Sequence, residues 1–284
     1  QLDGENEYLL YRAKNILGLV YVFEQSRDSA IYHFNEVLET VDSKNTQIVL
    51  SAHGNLGLAY RGIGEYGKAI FHIRKTLELD SNNTFNKVNG SINIGLMFAD
   101  MKMYEEANEA LKKSGYQDIP PQPIKSGVHN NLASNYVQLN KLDSAIYHWK
   151  ASYEINKQLN RASNIYYNCI MLADAYAQLG SLAESKWYLD ESMELLPGLR
   201  RPDDLFRYKP SLANYYFASN ELDSAIIIYQ QHLREVEIPQ NRRFIGDTYD
   251  KLATIYEKMG SLDSTNKYLR LQREYDEGAR RVER

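Results

Sequence analysis

The chain has 284 residues, 43% hydrophobic and 25% charged, with 23 tyrosines against 8 phenylalanines and 2 tryptophans. A formal charge of −4 and a pI near 5.9 give no footing for nucleic-acid binding, which asks for a basic face. The single cysteine, Cys169, excludes an internal disulfide framework and a cysteine zinc site, and no apolar run approaches the ~20 residues of a membrane helix.

In chain order, an apolar–small pair followed three residues later by an aromatic recurs along the whole sequence: Leu17-Gly18…Tyr21, Leu56-Gly57…Tyr60, Ile94-Gly95…Phe98, Leu132-Ala133…Tyr136, Leu172-Ala173…Tyr176, Leu212-Ala213…Tyr216 and Leu252-Ala253…Tyr256. The small residues stand 39, 38, 38, 40, 40 and 40 apart. Twelve residues after each comes a second small marker (Ala30, Ala69, Ala107, Ala145, Ser185, Ala225, Thr265). Four further on stands a large apolar one (Phe34, Ile73, Leu111, Trp149, Leu189, Tyr229, Leu269). Residues three and four apart share a helix face. Each unit therefore reads as a helical hairpin, with small residues where two backbones approach and aromatics filling the space beside them.

The halves are joined by turns such as "NKLDSAI" (140–146), "NELDSAI" (220–226) and "GSLDSTN" (260–266). Asp143, Asp223 and Asp263 are expected to accept hydrogen bonds from the free N–H groups of the helix each opens. Two segments break the rhythm, "YQDIPPQPIKSG" (116–127) and "LPGLRRPDDLFRYKP" (196–210), where prolines and glycines are expected to end one unit and delay the next. The last helix runs from "DSTNKYL" into a charged stretch and reads as a solvated cap or the start of a connector.

The pattern resembles the tetratricopeptide repeat (TPR) family, whose hairpins carry the same small, leucine and aromatic positions. The third small position is weaker here (Val37, Thr76, Ser114, Ser152, Ser192, His232, Gln272), and most units lack the closing proline. The resemblance covers residues 11 to 279, with repeats at about 11–44, 50–83, 88–121, 126–159, 166–199, 206–239 and 246–279. It implies an all-α, right-handed superhelix over 1–284, a single solenoid whose first helices line the concave face and whose 262–284 segment is a long final helix.

In that register Asn55, Asn93 and Asn131 each precede the motif's large apolar residue and project into the groove, with Asn130 beside Asn131. Equivalent helices lie ~10 Å apart, about three residues of extended chain. A carboxamide offers a donor and an acceptor, so such a row suits a peptide backbone, at ~1 kcal/mol per contact. The TPR superhelix of O-linked GlcNAc transferase and the quorum-sensing TPR receptors of Gram-positive bacteria use groove asparagines in this way. The alternative is that these amides cap loop atoms or bind water in an unused groove. Flanking groove candidates are Arg12, Leu19, Phe23, Leu58, Arg61, Leu96 and Asp100, then Tyr167, Met171, Asp174, Arg207, Asn214 and Phe217, with Asp247, Asp250, Lys251 and Glu257 in the last repeat.

Chemical signals are weak. His33, His72 and His148 recur at one repeat position on different second helices, ~10 Å or more apart, too far for one zinc ion whose ligands must lie within ~2.1 Å. No nucleophile elbow, phosphate-cradling loop or dinucleotide fingerprint appears. Arg200, Arg201, Arg207 and Lys209 form a small basic cluster that Asp203 and Asp204 offset.

The expectation is a non-catalytic module without cofactor or metal that binds a protein or peptide in its groove. It reads as the sensory or docking part of a larger signalling protein, of the type found in Bacteroidetes, and is expected not to insert in a membrane. The second reading is a scaffold, adaptor or lipoprotein using its convex face or termini, with self-association through the last helix. The Gln1 start reads as a processed form or a cut piece, and the address as periplasmic or cell envelope ahead of cytoplasmic. The quorum-sensing receptors carry an N-terminal output domain for which no room stands before Leu17, so resemblance to them is expected in the groove alone.

Overall fold

The computed structural model describes residues 4–24, 26–42, 45–120, 122–199, 202–236 and 242–282. They form α1 (Gly4–Phe23), α2 (Arg27–Thr40), α3 (Thr46–Gly62), α4 (Tyr66–Leu79), α5 (Thr84–Asp100), α6 (Tyr104–Lys112), α7 (Pro123–Gln138), α8 (Leu142–Gln158), α9 (Ala162–Gln178), α10 (Leu182–Leu195), α11 (Pro202–Ala218), α12 (Leu222–Val236), α13 (Arg242–Lys258) and α14 (Leu262–Val282). Short 3₁₀ turns stand at Tyr116–Asp118 and Leu196–Gly198, and among the described residues there is no strand. The fold is an all-α solenoid of helical hairpins, and its contacts group into two compact units, Gln1–Asn140 and Lys141–Arg284.

The turns inside the hairpins repeat one device. Gly64, Lys102, Asn140, Gly180, Asn220 and Gly260 all have positive φ, between 54° and 79°. The following amide reaches back over the turn: Glu65, Met103, Ser181, Glu221 and Ser261 donate to the carbonyls of Tyr60, Phe98, Tyr176, Tyr216 and Tyr256 at 2.8–3.0 Å. This is the left-handed C-terminal cap that satisfies a helix's last carbonyls. The accepting carbonyl belongs each time to the motif aromatic, so the aromatic that fills the hairpin also anchors its turn.

Small faces large across each hairpin. A Cβ on Gly18 would lie 2.4 Å from the Phe34 ring, one on Gly57 2.5 Å from Ile73, and one on Gly95 3.0 Å from Leu111. The second markers Ala30, Ala69, Ala107, Ala145, Ser185 and Ala225 are wholly buried. Between hairpins the second helix of one covers the first helix of the next: Ala30, Phe34 and Val37 of α2 bury Ile48, Ala52, Leu56 and Ala59 of α3.

Two sequence expectations need correction. α8, α12 and α14 begin at Leu142, Leu222 and Leu262, which places Asp143, Asp223 and Asp263 inside the first turn. There they favour the positive end of the helix dipole and are not the capping residue. The proline-containing segments are also shorter breaks than their composition suggests. α7 and α11 start on Pro123 and Pro202, positions where a missing N–H costs nothing, and Pro210 lies inside α11. Arg200 and Arg201 lie outside the described residues, as do the side chains of Phe23, Asp203 and Asp204.

Candidate functional site

In the first unit α3 and α5 diverge over α4 and leave a cleft of about 320 Å³. Gln47, Leu50, Ser51, Gly54, Asn55 and Leu58 form one wall, Asn86, Asn89, Gly90 and Asn93 the other, and Ile73 and Thr76 the floor. No lining residue is charged. Asn86, Asn89 and Asn93 follow one another at i, i+3 and i+7, so a single face of α5 carries amides through two turns. Opposite, Asn15 of α1 donates to Ser51 Oγ (2.6 Å) and accepts from Asn55 Nδ2 (2.9 Å). That bond fixes the Asn55 carboxamide while leaving its oxygen and second N–H to other partners.

Of the residues singled out from sequence, Asn55, Leu58 and Asn93 meet at this cleft. Asn130 and Asn131 are half-buried on α7 and are not among its lining residues. Leu96 is half-buried on α5. Arg12 stands over the Tyr8 ring at 5.6 Å. Arg61 pairs with Asp100 at 2.8 Å, an exposed ion pair worth ~0–1 kcal/mol. Sequence reasoning missed Asn15, Ser51, Asn86 and Asn89. The spacing of "NKVNGSIN" (86–93) carried the signal for the last two.

The second unit holds a different chemistry. Asp174 of α9 accepts from Ser211 Oγ and Asn214 Nδ2, both at 2.9 Å, and Asn214 Oδ1 accepts from the Tyr229 hydroxyl at 2.5 Å. Burial pushes the Asp174 carboxyl up, and the bonds from Asn214 and Ser211 with the charge of Lys251 act against that shift. Burial, with Asp174 and Asp250 nearby, also holds the Tyr229 phenol protonated. Asn214 of this network also lines two clefts, both of which include Lys251. One, about 560 Å³, adds Leu142, Ala177, Gln178, Gly180, Phe217, Ala218 and Lys258; the other, about 250 Å³, adds Pro210, Tyr229, Asp247, Thr248 and Asp250. Arg207 lies over the Tyr167 ring at 5.6 Å.

Two of the three repeated histidines pack against the motif tyrosine. His33 stacks on Tyr21 and His72 on Tyr60, each with centroids 5.4 Å apart, and tyrosines do the same in Tyr176–Tyr188 and Tyr256–Tyr268. His72 also meets His53 through their Nδ1 atoms at 2.9 Å with ring centroids 5.2 Å apart. The rings therefore point head-on at one another, as in a linear N–H···N bond. Cys169 is buried, and that burial pushes its thiol well above the usual range, away from nucleophilic reactivity.

Residues 50–83, the second repeat, match the family model of the tetratricopeptide repeat. No curated protein matches the sequence. Solved structures match in fold. The apo form of RapI aligns over 99% of this chain and 77% of its own, with a TM-score of 0.79 at 16% identity. The apo form of the quorum sensor NprR from B. thuringiensis aligns over 94% and 76%, with a TM-score of 0.74 at 16% identity. The Rap conjugation gene regulator of the plasmid pLS20, in complex with the Phr* peptide, aligns over 99% and 78%, with a TM-score of 0.63 at 16% identity. The likeness of fold to these proteins thus runs along nearly the whole chain and is not confined to a groove.

Proposed function

From the premise that this chain has the tetratricopeptide-repeat fold, we propose that it is a non-catalytic peptide-binding module whose primary site is the amide cleft between α3 and α5. The observation that carries this reading is the convergence of Asn55, Asn86, Asn89 and Asn93, with Gln47 and Ser51, on one uncharged cleft. Carboxamides pair with peptide groups whatever the side chains, and Leu50 and Leu58 offer apolar contact to a flanking residue. The occupant is an extended segment read mainly through its backbone. The peptide-bound Rap regulator, of like fold, supports a ligand of this class, and the quorum sensor and the gene regulator among the similar structures support a regulatory role. A bacterial envelope location belongs to the same reading.

Selection of immobilised random peptides tests it, comparing the wild type with an Asn55→Ala/Asn93→Ala variant of equal thermal stability. Two amide contacts of about 1 kcal/mol each give roughly thirtyfold. The expected result is a peptide set bound by the wild type and weakened by about that factor in the variant. Equal binding by both would overturn the assignment of the cleft.

A further inference from the structure

The second helices expose a row of large apolar side chains at one repeat position, two residues after the second small marker. Tyr32, Phe71, Tyr147, Trp187 and Ile227 stand there, between 53% and 68% exposed. The neighbours on that face, three residues before and three after, are polar in every repeat, from Ser29 to Ser264 and from Asn35 to Arg270. A solvated helix face asks for polar residues throughout, so packing within the chain does not account for the row. Nor does an end of the array: in the second unit the row lies on α8, α10 and α12, each with further repeats before and after it in the chain.

The rings are held upright. Tyr147 meets the His148 ring edge-on, at 79° with centroids 5.1 Å apart, and Trp187 meets Tyr188 likewise, at 88° and 4.6 Å; both supporting rings are buried. In the second unit they also lack a cation. At Phe71 the chain supplies its own, Lys75, four residues on and 5.8 Å from the ring. The corresponding residues after Tyr147 and Trp187 are Ala151 and Glu191, and among the described residues no cation lies over either ring. The charge around them is acidic. Asp143 and Glu154 on α8, Glu184 and Glu194 on α10 and Asp223 on α12 are exposed, with no ion pair among the described residues. The cations of α8 and α10 are already engaged: Lys150 lies over Tyr176, Lys157 over Tyr153, and Lys186 pairs with Asp190.

We propose that the exposed face of α8, α10 and α12 docks a basic segment of a partner protein, whose arginine or lysine side chains lie over Trp187 and Tyr147 and pair with the flanking carboxylates. A cation over an aromatic face is attracted by the ring's quadrupole, most of all by tryptophan. The carboxylates supply the complementary charge that steers and orients such a segment. Glu184 and Glu194 stand three before and seven after Trp187, on its own helix face, which makes α10 the centre of the surface. A nucleic acid or an anionic lipid surface would meet like charge here. The surface is separate from the uncharged amide cleft and reads side chains where that cleft reads a backbone.

Fluorescence anisotropy of a labelled, alternating arginine–glycine decapeptide, titrated with the full chain at low ionic strength, tests this. The wild type is expected to bind it saturably. Trp187→Ala is expected to weaken binding about fivefold through loss of the ring. Glu184→Gln/Glu194→Gln is expected to weaken it severalfold and to flatten its salt dependence. Because these side chains are exposed, both variants should keep the helix content and melting curve of the wild type. The Asn55→Ala/Asn93→Ala variant is expected to bind the peptide as the wild type does, which separates this surface from the amide cleft. No saturable binding by the wild type, or undiminished binding by Trp187→Ala, would overturn the proposal. So would a citrulline–glycine peptide that binds as tightly as the arginine one, a result that would give the rings to a neutral ligand such as a glycan.

Discussion

Gly54 and Gly57 stand one turn apart on α3 and take opposite roles. A Cβ on Gly57 would meet Ile73 at 2.5 Å, whereas one on Gly54 would meet nothing within 4 Å. Gly57→Ala is therefore expected to destabilise by about 1–3 kcal/mol through overpacking, and Gly54→Ala to stabilise by up to about 1 kcal/mol through helix propensity. Urea unfolding of the two variants measures both signs. The small-residue spacing made Gly57 legible as a close approach. Gly54 carries no such periodicity, and only the position of the cleft gives it meaning. Histidine was partly legible: shared spacing identified His33, His72 and His148 as equivalent, but not the tyrosine stacking that employs His33 and His72. Burial pushes His72, His129 and His232 down to about 4. Such groups take a proton in the unfolded chain first. Their contribution is intact above about pH 6.5 and is lost as pH falls towards about 4. The urea midpoint is expected to drop between about pH 7 and about pH 5, before most carboxylates titrate; an unchanged midpoint would contradict this account of the histidines.

The hairpin turns that follow α3, α5, α7, α9, α11 and α13 each place one residue in the left-handed region, glycine or asparagine in all of them except Lys102, at φ 62°. A side chain with a Cβ is disfavoured there, so Lys102→Gly is expected to raise stability by up to about 1 kcal/mol. Gly180→Ala, at φ 74°, is expected to lower it by a similar amount. Chemical denaturation of the pair checks the device at element scale. The repeat period made these turns predictable in place. The aspartates after them were misread because an "LDS" string looks like a cap when the true helix start is the preceding leucine. Proline composition suggests longer loops than exist for a related reason: Pro123 and Pro202 open helices and shorten the breaks.

At the scale of the molecule the pattern of small, large and aromatic residues was enough to read an all-α solenoid, because each hairpin repeats one packing solution. The site was harder. Groove asparagines were read from a single position per repeat, while the cleft draws on Asn15, Ser51, Asn86 and Asn89, whose alignment depends on how far adjacent first helices diverge. That divergence is a tertiary quantity with no signature in the period. Solenoid stability is approximately a sum of repeats and neighbour interfaces, so α1, on which Leu9 and Ile16 are 54% and 57% exposed, is expected to exchange its amides faster than α9. Hydrogen–deuterium exchange at low concentration reads this directly, and equal protection of the two helices would contradict it.

The central claim is that the uncharged amide cleft holds an extended peptide. Titration of a library-selected peptide into ¹⁵N-labelled protein, watching the side-chain amides of Asn55, Asn86, Asn89 and Asn93, tests it most directly. The account predicts saturable shifts of these resonances together, lost in the Asn55→Ala/Asn93→Ala variant. Shifts confined to Asn214 and the lysine-lined clefts, or to α1, would contradict it and move the binding site elsewhere on the chain.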